Sequence, residues 1–386
     1  MLIINAKLLT MENDVIENGF LRTQGDVIAA LGEMGACPEV QDGEEVLDAC
    51  GGYVLPGLVD AHTHLGICED SLGFEGEDAN EETDPATPHL RALDAINPFD
   101  RCFEEARSAG VTTVAVGPGS ANPVAGQIVA IKTFGRRIDD MIVSSPIAMK
   151  MALGENPKCC YHEKNQAPMT RMATAAVIRE QLFKAKEYLR AIEEAHSDED
   201  ADEPDFDMKC DALVPVLKRE IPVHFHCHRA DDMFTAMRIA KEFEIDYVLV
   251  HGTEGHLVAD ILAKEGARVI CGPSLGFRSK PELRNLTFET PGALARAGVE
   301  VAITTDHPET TLDYFMFCAA QAVRAGMEEG AALRAVTITP ARILGLDEKI
   351  GSLRQGKCAD IVVYTGHPFA HDTHVSCVLI NGERVK

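Results

Sequence analysis

The sequence predicts an α/β protein, a (β/α)8 TIM-like barrel with a small β-sandwich domain formed by both chain termini. Three observations lead there. Apolar strand-like runs alternate with helix-compatible stretches through the middle of the chain. Short alternating strands mark both ends. Histidines and an aspartate close several of the middle runs.

Taken in order, residues 1–55 hold IINAKLL, FLRTQGDVIAAL and EEVLDACGGYVL, which alternate apolar and polar positions between Gly- and Asn-rich breaks. Residues 346–386 repeat that character in ADIVVYTG and VSCVLINGERVK, the second with an Asn381–Gly382 hairpin signal. The two ends are expected to pair into one β domain, with a barrel of residues 56–345 inserted between them. Inside the barrel segment the strand-like runs are GLVDAHTH, VTTVAVG, PIAMKMAL, PVHFHCH, YVLVHG, RVICGP and VEVAITTD, with an eighth near QIVAIKTF. Helix-compatible stretches such as NPFDRCFEEARSAG, DDMFTAMRIAKEF and GHLVADILAKEG separate them, which predicts parallel βαβ units. Two segments stand outside the pattern. Residues 66–100 form a long acidic stretch after the first barrel strand, of a length typical of functional loops. Residues 193–207 are acidic, poor in apolar side chains and expected to be a solvated loop.

Composition narrows the function classes. Of 386 residues, 46% are hydrophobic and 25% charged, as in an ordinary globular protein, and the net charge is −25. Nucleic-acid binding relies on clustered Lys and Arg, so no nucleic-acid partner is expected. No apolar run approaches the roughly 20 residues that span a bilayer, and the N-terminus lacks the charged-then-apolar order of a signal peptide. Twelve cysteines lie scattered without a repeated CxxC spacing and read as reduced thiols. A cytoplasmic protein with no membrane partner is the expectation. No GxGxxG follows any strand and no GxxxxGK[ST] occurs, so neither a dinucleotide nor a P-loop fold is indicated.

The motif with the sharpest chemistry is LPGLVDAHTHLG, residues 55–66. His62 and His64 lie two apart on an apolar strand, on one face and about 6.6 Å apart at Cα. Two such rings can converge on one cation. Other strands end alike, in HFHCH, in His251 of YVLVHG and in Asp306 of VAITTD. Barrel strands gather their C-terminal ends on one rim, where barrel active sites form. Imidazoles with a carboxylate suit zinc or a similar divalent metal better than magnesium or calcium. Within IPVHFHCHRADD, His224, His226 and His228 share one face. His224 should lie deepest, as a hydrogen-bonded packing residue; His226 should reach the rim, and His228 should face the substrate.

These residues resemble the amidohydrolase superfamily. PGLVDAHTH is similar to its strand-one signature, HCHRADD to its strand-five region, VHGTEGH to its strand six and AITTDHP to its strand-eight aspartate. ITPARILGLDEKIGSLRQGKCADIVVY resembles its closing helix and return to the β domain. The imidazolonepropionase-related branch is the most alike, including an uncharacterised subset with MKMALGENPK and APMTRM segments. The resemblance implies that His62, His64 and Asp306 bind a first metal, and that His226 and His251 serve a second or His226 completes a single-ion site. It also implies one or two ions per chain and Asp306 as general base, taking a proton from the attacking water and passing it to the leaving nitrogen. Many two-metal relatives carry a carboxylated lysine on strand four, and Lys150 matches that position; the alternative is a salt-bridged barrel lysine. Glu155, just past the same strand, is a candidate ligand or a loop or substrate contact.

Asp306, His251 and His228 thus form the candidate catalytic group, and Arg229, His256, His307 and Glu155 the candidate substrate contacts. Each of the latter has a plainer reading. Arg229 can pair with Asp231 or Asp232 as readily as with a substrate carboxylate. His228 and His256 can be simple loop packing, and His307 can orient the rim. GPGSANPVAGQ, residues 117–127, can present N–H groups or serve as turn chemistry. Arg278, Lys280 and Arg284 suit an anionic group or a solvated surface. The function expected is metal-dependent hydrolysis of a carbon–nitrogen bond (amide, cyclic amide or peptide-like) in a small-molecule substrate. Heterocycle deamination ranks below it, because His226 is followed by CHRADD with no glutamate at the third place. A catalytically silent metal-binding homologue ranks lower still, since no ligand or base is missing. A β domain beside a barrel leaves surface for a homo-oligomer.

Overall fold

The computed structural model describes residues 1–12, 15–198, 200 and 202–386, so Glu199 and Ala201 of the expected acidic loop lie outside the described residues. In chain order the strands are β1 (Leu2–Leu9), β2 (Val15–Gln24), β3 (Val27–Glu33), β4 (Val46–Asp48), β5 (Tyr53–Pro56), β6 (Leu58–Thr63), β7 (Val111–Val116), β8 (Val124–Lys132), β9 (Ile142–Ala152), β10 (Val223–Cys227), β11 (Tyr247–His251), β12 (Arg268–Cys271), β13 (Glu300–Ile303), β14 (Ile361–Tyr364), β15 (Val375–Ile380) and β16 (Glu383–Arg384).

Both termini build one sheet in the order β16-β15-β14-β5-β1-β2-β3, with β4 also paired to β1. The expected sandwich is therefore met only as a shared terminal β unit: hydrogen bonding joins all its strands in a single sheet. Its two-residue turns are chemically specified. Asn381 and Gly382, between Ile380 and Glu383, both have positive φ (50° and 77°), the conformation a tight hairpin needs. A Cβ at Gly382 would also lie 1.9 Å from the Gly25 carbonyl oxygen of the β2–β3 turn, so the two turns fit together only with glycine there. Ile3, Leu8, Leu21, Ile28, Val54, Ile361, Val363 and Leu379 form the buried core of this unit.

The central strands form a second sheet, in the order β13-β12-β11-β10-β9-β8-β7-β6. All eight expected barrel strands are present. One runs against the expected direction: β8 is antiparallel to both β7 and β9, while the remaining neighbours are parallel. The reason is loop length. Residues 117–123 and 133–141 carry no α-helix, and a parallel return needs a crossover of a dozen or more residues. Because β8 enters from the top, its leading loop, with Ser120, lies at the rim where the other strands end.

Alternation sorts the buried strands into two faces. Val59, Ala61, Ala115, Ile128, Ala130, Ala148, Val248, Val250, Ile270 and Ala302 fill the barrel interior. Met149, Met151, Val223, Phe225, Leu249, Val269 and Val301 pack outward, in one cluster with helical residues such as Ile178, Leu182, Met233, Ile239 and Leu294. The inward face of β10 therefore carries His224 and His226, and that of β9 carries Lys150. No helix among the described residues is long and apolar enough to cross a membrane.

The barrel is not closed by a ladder between β6 and β13. Asp60 bridges that seam instead. Its Oδ1 accepts from His62 N (3.1 Å) and Thr304 Oγ1 (2.6 Å), and its Oδ2 from Thr305 N (2.9 Å) and Thr305 Oγ1 (2.7 Å). Burial pushes the Asp60 carboxyl up to about 6, against the pull of these donors. One fixed backbone N–H faces each oxygen, so a carboxamide would press its NH2 against an N–H in either orientation. Asp60→Asn is expected to lower stability by about 1–3 kcal/mol. Thermal unfolding checks this, and an unchanged melting temperature would remove Asp60 as the seam.

Candidate metal centre

The strand ends converge on a cavity of about 460 Å³ lined by His64, Ser120, His226, His228, Lys280 and Asp306 among others. This is the size of an ordinary small-molecule site. His62, His251 and Lys150 are buried behind that lining.

Four of the histidines are held from the back. His64 Nδ1 lies 2.7 Å from Gly117 O, and His251 Nδ1 2.7 Å from Gly272 O. His226 Nδ1 is 2.8 Å from Ser120 Oγ, and His228 Nδ1 is 2.7 Å from Thr253 Oγ1. Fixing one nitrogen this way leaves Nε2 of each ring as the free donor, which is how metal-ligating histidines are oriented. In front of them, Asp306 Oδ1 stands 3.2 Å from His62 Nε2 and 3.5 Å from His64 Nε2. Ligand atoms of His62, His251 and Asp306 lie within 4.8 Å of one another, as do those of His226, His228 and His251. His226 Nε2 and Asp306 Oδ1 are buried without a hydrogen-bond partner. Orphaned donors of this chemistry fit a divalent ion. The backbone is bent to make the site: His251 and Asp306 both have positive φ, 74° and 51°.

Electrostatics agree with a ligand set of neutral imidazoles and ionised carboxylates. Burial, reinforced by the Lys150 charge, drives His62 far below the ordinary histidine range. Burial also brings His251 to about 4 and His228 well below its usual value. Burial alone would raise Asp306, yet His251, His62 and His64 hold it well below the carboxylate range. Lys150 is fully buried, its Nζ 3.1 Å from His62 Nε2, and burial lowers it to about 8.

Other residues singled out in the sequence fall elsewhere. Arg229 pairs with Asp231 through two bonds of 2.9 and 2.8 Å, the surface ion pair rather than a cavity contact. His256 is tied to Thr290 Oγ1 at 2.8 Å. Arg278 donates to Leu286 O, and Arg284 faces Glu254. His307 is buried with both ring nitrogens unpartnered, and its carbonyl accepts from His64 N at 2.8 Å, which places it behind the rim. Glu155 turns from the donors to the backbone of Glu282. His224 is buried in register with Lys150, and both its nitrogens lack a partner, so it packs without the expected hydrogen bond.

Sequence reasoning missed Glu282, Ser120, Thr253 and Asn156. Glu282 is the most consequential. It sits in a short turn, Pro281–Leu283, with a fully buried carboxylate. Burial pushes that carboxyl up, but His228, Lys280 and the Glu155 N–H outweigh it and hold it low.

Comparison with known proteins agrees with this architecture. The amidohydrolase family model matches residues 53–385. Amidohydrolase tasK of Hapsidospora irregularis is 29% identical over 359 residues, which is 86% of this chain but only 36% of that protein's length. Imidazolonepropionase of Rhizobium meliloti (strain 1021) is 25% identical over 396 residues, covering 93% of this chain and 89% of that one. The crystal structure of an amidohydrolase from Thermotoga maritima MSB8 superposes with a TM-score of 0.95 at 41% identity, over 100% of this chain and 99% of the other. With a matching model over most of its length and the strand-end histidines and aspartate brought together, this chain belongs to the amidohydrolase family.

Proposed function

We propose that this protein is a metal-dependent hydrolase of carbon–nitrogen bonds in small molecules: amides, cyclic amides or peptide-like substrates. The observation that carries the reading is the convergence of His62 Nε2 and His64 Nε2 on Asp306 Oδ1, at 3.2 and 3.5 Å. These separations suit atoms sharing a cation, and zinc fits the imidazole–carboxylate donor set. His62, His64, Asp306, His226 and His251 are the residues that would hold one or two such ions. Bound there, a divalent ion brings the pKa of water toward about 7 and polarises a carbonyl.

The protein's own part is positional. Asp306 takes the proton of the attacking water and hands it to the leaving nitrogen; held as a carboxylate, it is ready to accept. Lys150 is placed to be carboxylated and join the ligands: it is an inward lysine with His62 as its near neighbour and a lowered pKa, and the neutral amine is the form that reacts with carbon dioxide. His228, on the cavity wall, meets the substrate. One observation favours a second reading, heterocycle deamination. Glu282 puts a carboxylate beside the strand-five histidines, where CHRADD has no glutamate at the third place. Release of ammonia from an intact ring would identify that chemistry.

Asp306→Asn is expected to keep the far-UV circular dichroism of the wild type while kcat falls by about 10²–10⁴, read on a panel of lactams, N-acyl amino acids and dipeptides. Near-normal turnover would remove Asp306 as the base. Chelator treatment should abolish activity and zinc should restore it; activity that survives complete metal removal would defeat the whole reading. Crystals grown with bicarbonate should show density extended beyond Lys150 Nζ, and a bare lysine in a metal-loaded protein would exclude the carbamate.

A further inference from the structure

A second set of donors stands opposite Asp306, on the side of the cavity formed by β10 and the turn Pro281–Leu283. Glu282 Oε1 lies 3.6 Å from His226 Nε2 and 3.6 Å from His228 Nε2. At that length none of these contacts is a hydrogen bond. Ligands bound at about 2.0–2.1 Å in a tetrahedron are separated by about 3.3 Å, so the spacing is close to the edge of a metal site. The orientation of all three groups is fixed from behind. Ser120 and Thr253 hold the Nδ1 atoms of His226 and His228. Glu155 N donates to Glu282 Oε2 at 3.1 Å, and Glu282 N donates to Glu155 Oε2 at 3.2 Å, a reciprocal clamp that turns Oε1 toward the rings.

Burial makes the arrangement costly unless something joins it. The Glu282 side chain is 0% exposed with its Oε1 paired to Lys280, and His226 Nε2 lacks a hydrogen-bond partner. The Lys280 ammonium, 2.7 Å from Oε1, is the charge that a cation would displace; it is part-exposed and also reaches Asn156 Oδ1 at 2.9 Å.

We propose that Glu282 and His228 complete a second divalent-cation site with His226, and that His251, which groups with His226 and His228 and also with His62 and Asp306, lies between the two ions. The proposal rests on the metal-dependent reading above and adds to it. The motifs in the sequence supply His226 and His251 for a second ion but neither His228 nor Glu282, and this site does not require Lys150.

The test counts metal. Chelator-stripped wild-type, Glu282→Gln and His228→Asn proteins, each checked by circular dichroism and melting temperature, are titrated with Co2+ by visible absorption. Zn2+ retained after desalting is then counted per chain by elemental mass spectrometry. The wild type should hold two ions, and each variant should keep the first while losing at least about tenfold in affinity for the second. Glu282→Asp, which retains a carboxylate, should recover part of that loss and guards against a folding defect. Two ions at unchanged affinity in both Glu282→Gln and His228→Asn would overturn the site and leave Glu282 as a proton carrier. A single ion in the wild type would overturn the site yet leave the hydrolase reading standing, whereas no ion in the wild type would sink both.

Discussion

The site depends on the buried carboxylate of Asp60. A barrel whose first and last strands do not pair needs another bond across the seam, and Asp60 provides it by accepting from His62 N on its own strand and from Thr304 and Thr305 beyond β13. The same few atoms set the geometry of the candidate site. Asp60 leads by two residues into His62, and Thr304 leads by two into Asp306, so the bridge fixes both strand ends that carry donor atoms. Thr304 Oγ1 also meets His62 O (2.7 Å) and Asp306 N (3.1 Å), which makes it the junction between the two segments that carry these candidate ligands. Fold closure and ligand placement are thus one constraint.

From that seam the rest of the centre follows by alternation. Strand residues two apart share a face, so inward positions on β6, β9 and β10 stack as layers from core to rim. Lys150 and His224 share the layer below, being register partners, and His226 pairs with Ala152 one step higher. The short loop between β7 and the reversed strand β8 adds supports at the rim. It presents Ser120 to His226 and Gly117 O to His64. Two histidines thus take their orientation from that loop.

Much of this was legible in the sequence, and the failures have definite causes. The barrel strands stood out because they are short apolar runs with helix-compatible stretches between most of them, and His62, His64, His226, His251 and Asp306 were found because each closes such a run. Strand direction was not legible: hydrophobic periodicity has no polarity, and only the shortness of the segments flanking β8 carried the signal. Asp60 had a usable signal that went unread, an acid inside an otherwise apolar strand on the same face as the paired histidines. Glu282 had none. It lies in a charged loop, PELRN, where no period assigns a side to any residue. The two readings of Arg229 were equal on paper, and the nearer partner, Asp231, prevailed because the guanidinium reaches it without being desolvated.

Distances between donors distinguish this cavity from a packed polar core. Buried imidazoles and carboxylates that served only stability would close to hydrogen-bond length, near 2.7–3.2 Å, because an unmade bond costs about 1–3 kcal/mol. Around four of the rings that happens on the far side, where every Nδ1 of His64, His226, His228 and His251 finds an oxygen at 2.7 or 2.8 Å. On the near side, His64, His226 and His228 hold their carboxylates at 3.5 or 3.6 Å. In these three rings one nitrogen is fully satisfied and the other is held just out of contact with a carboxylate. Such a pattern costs stability in the polypeptide alone, which sets this candidate site apart from polar packing that serves the fold.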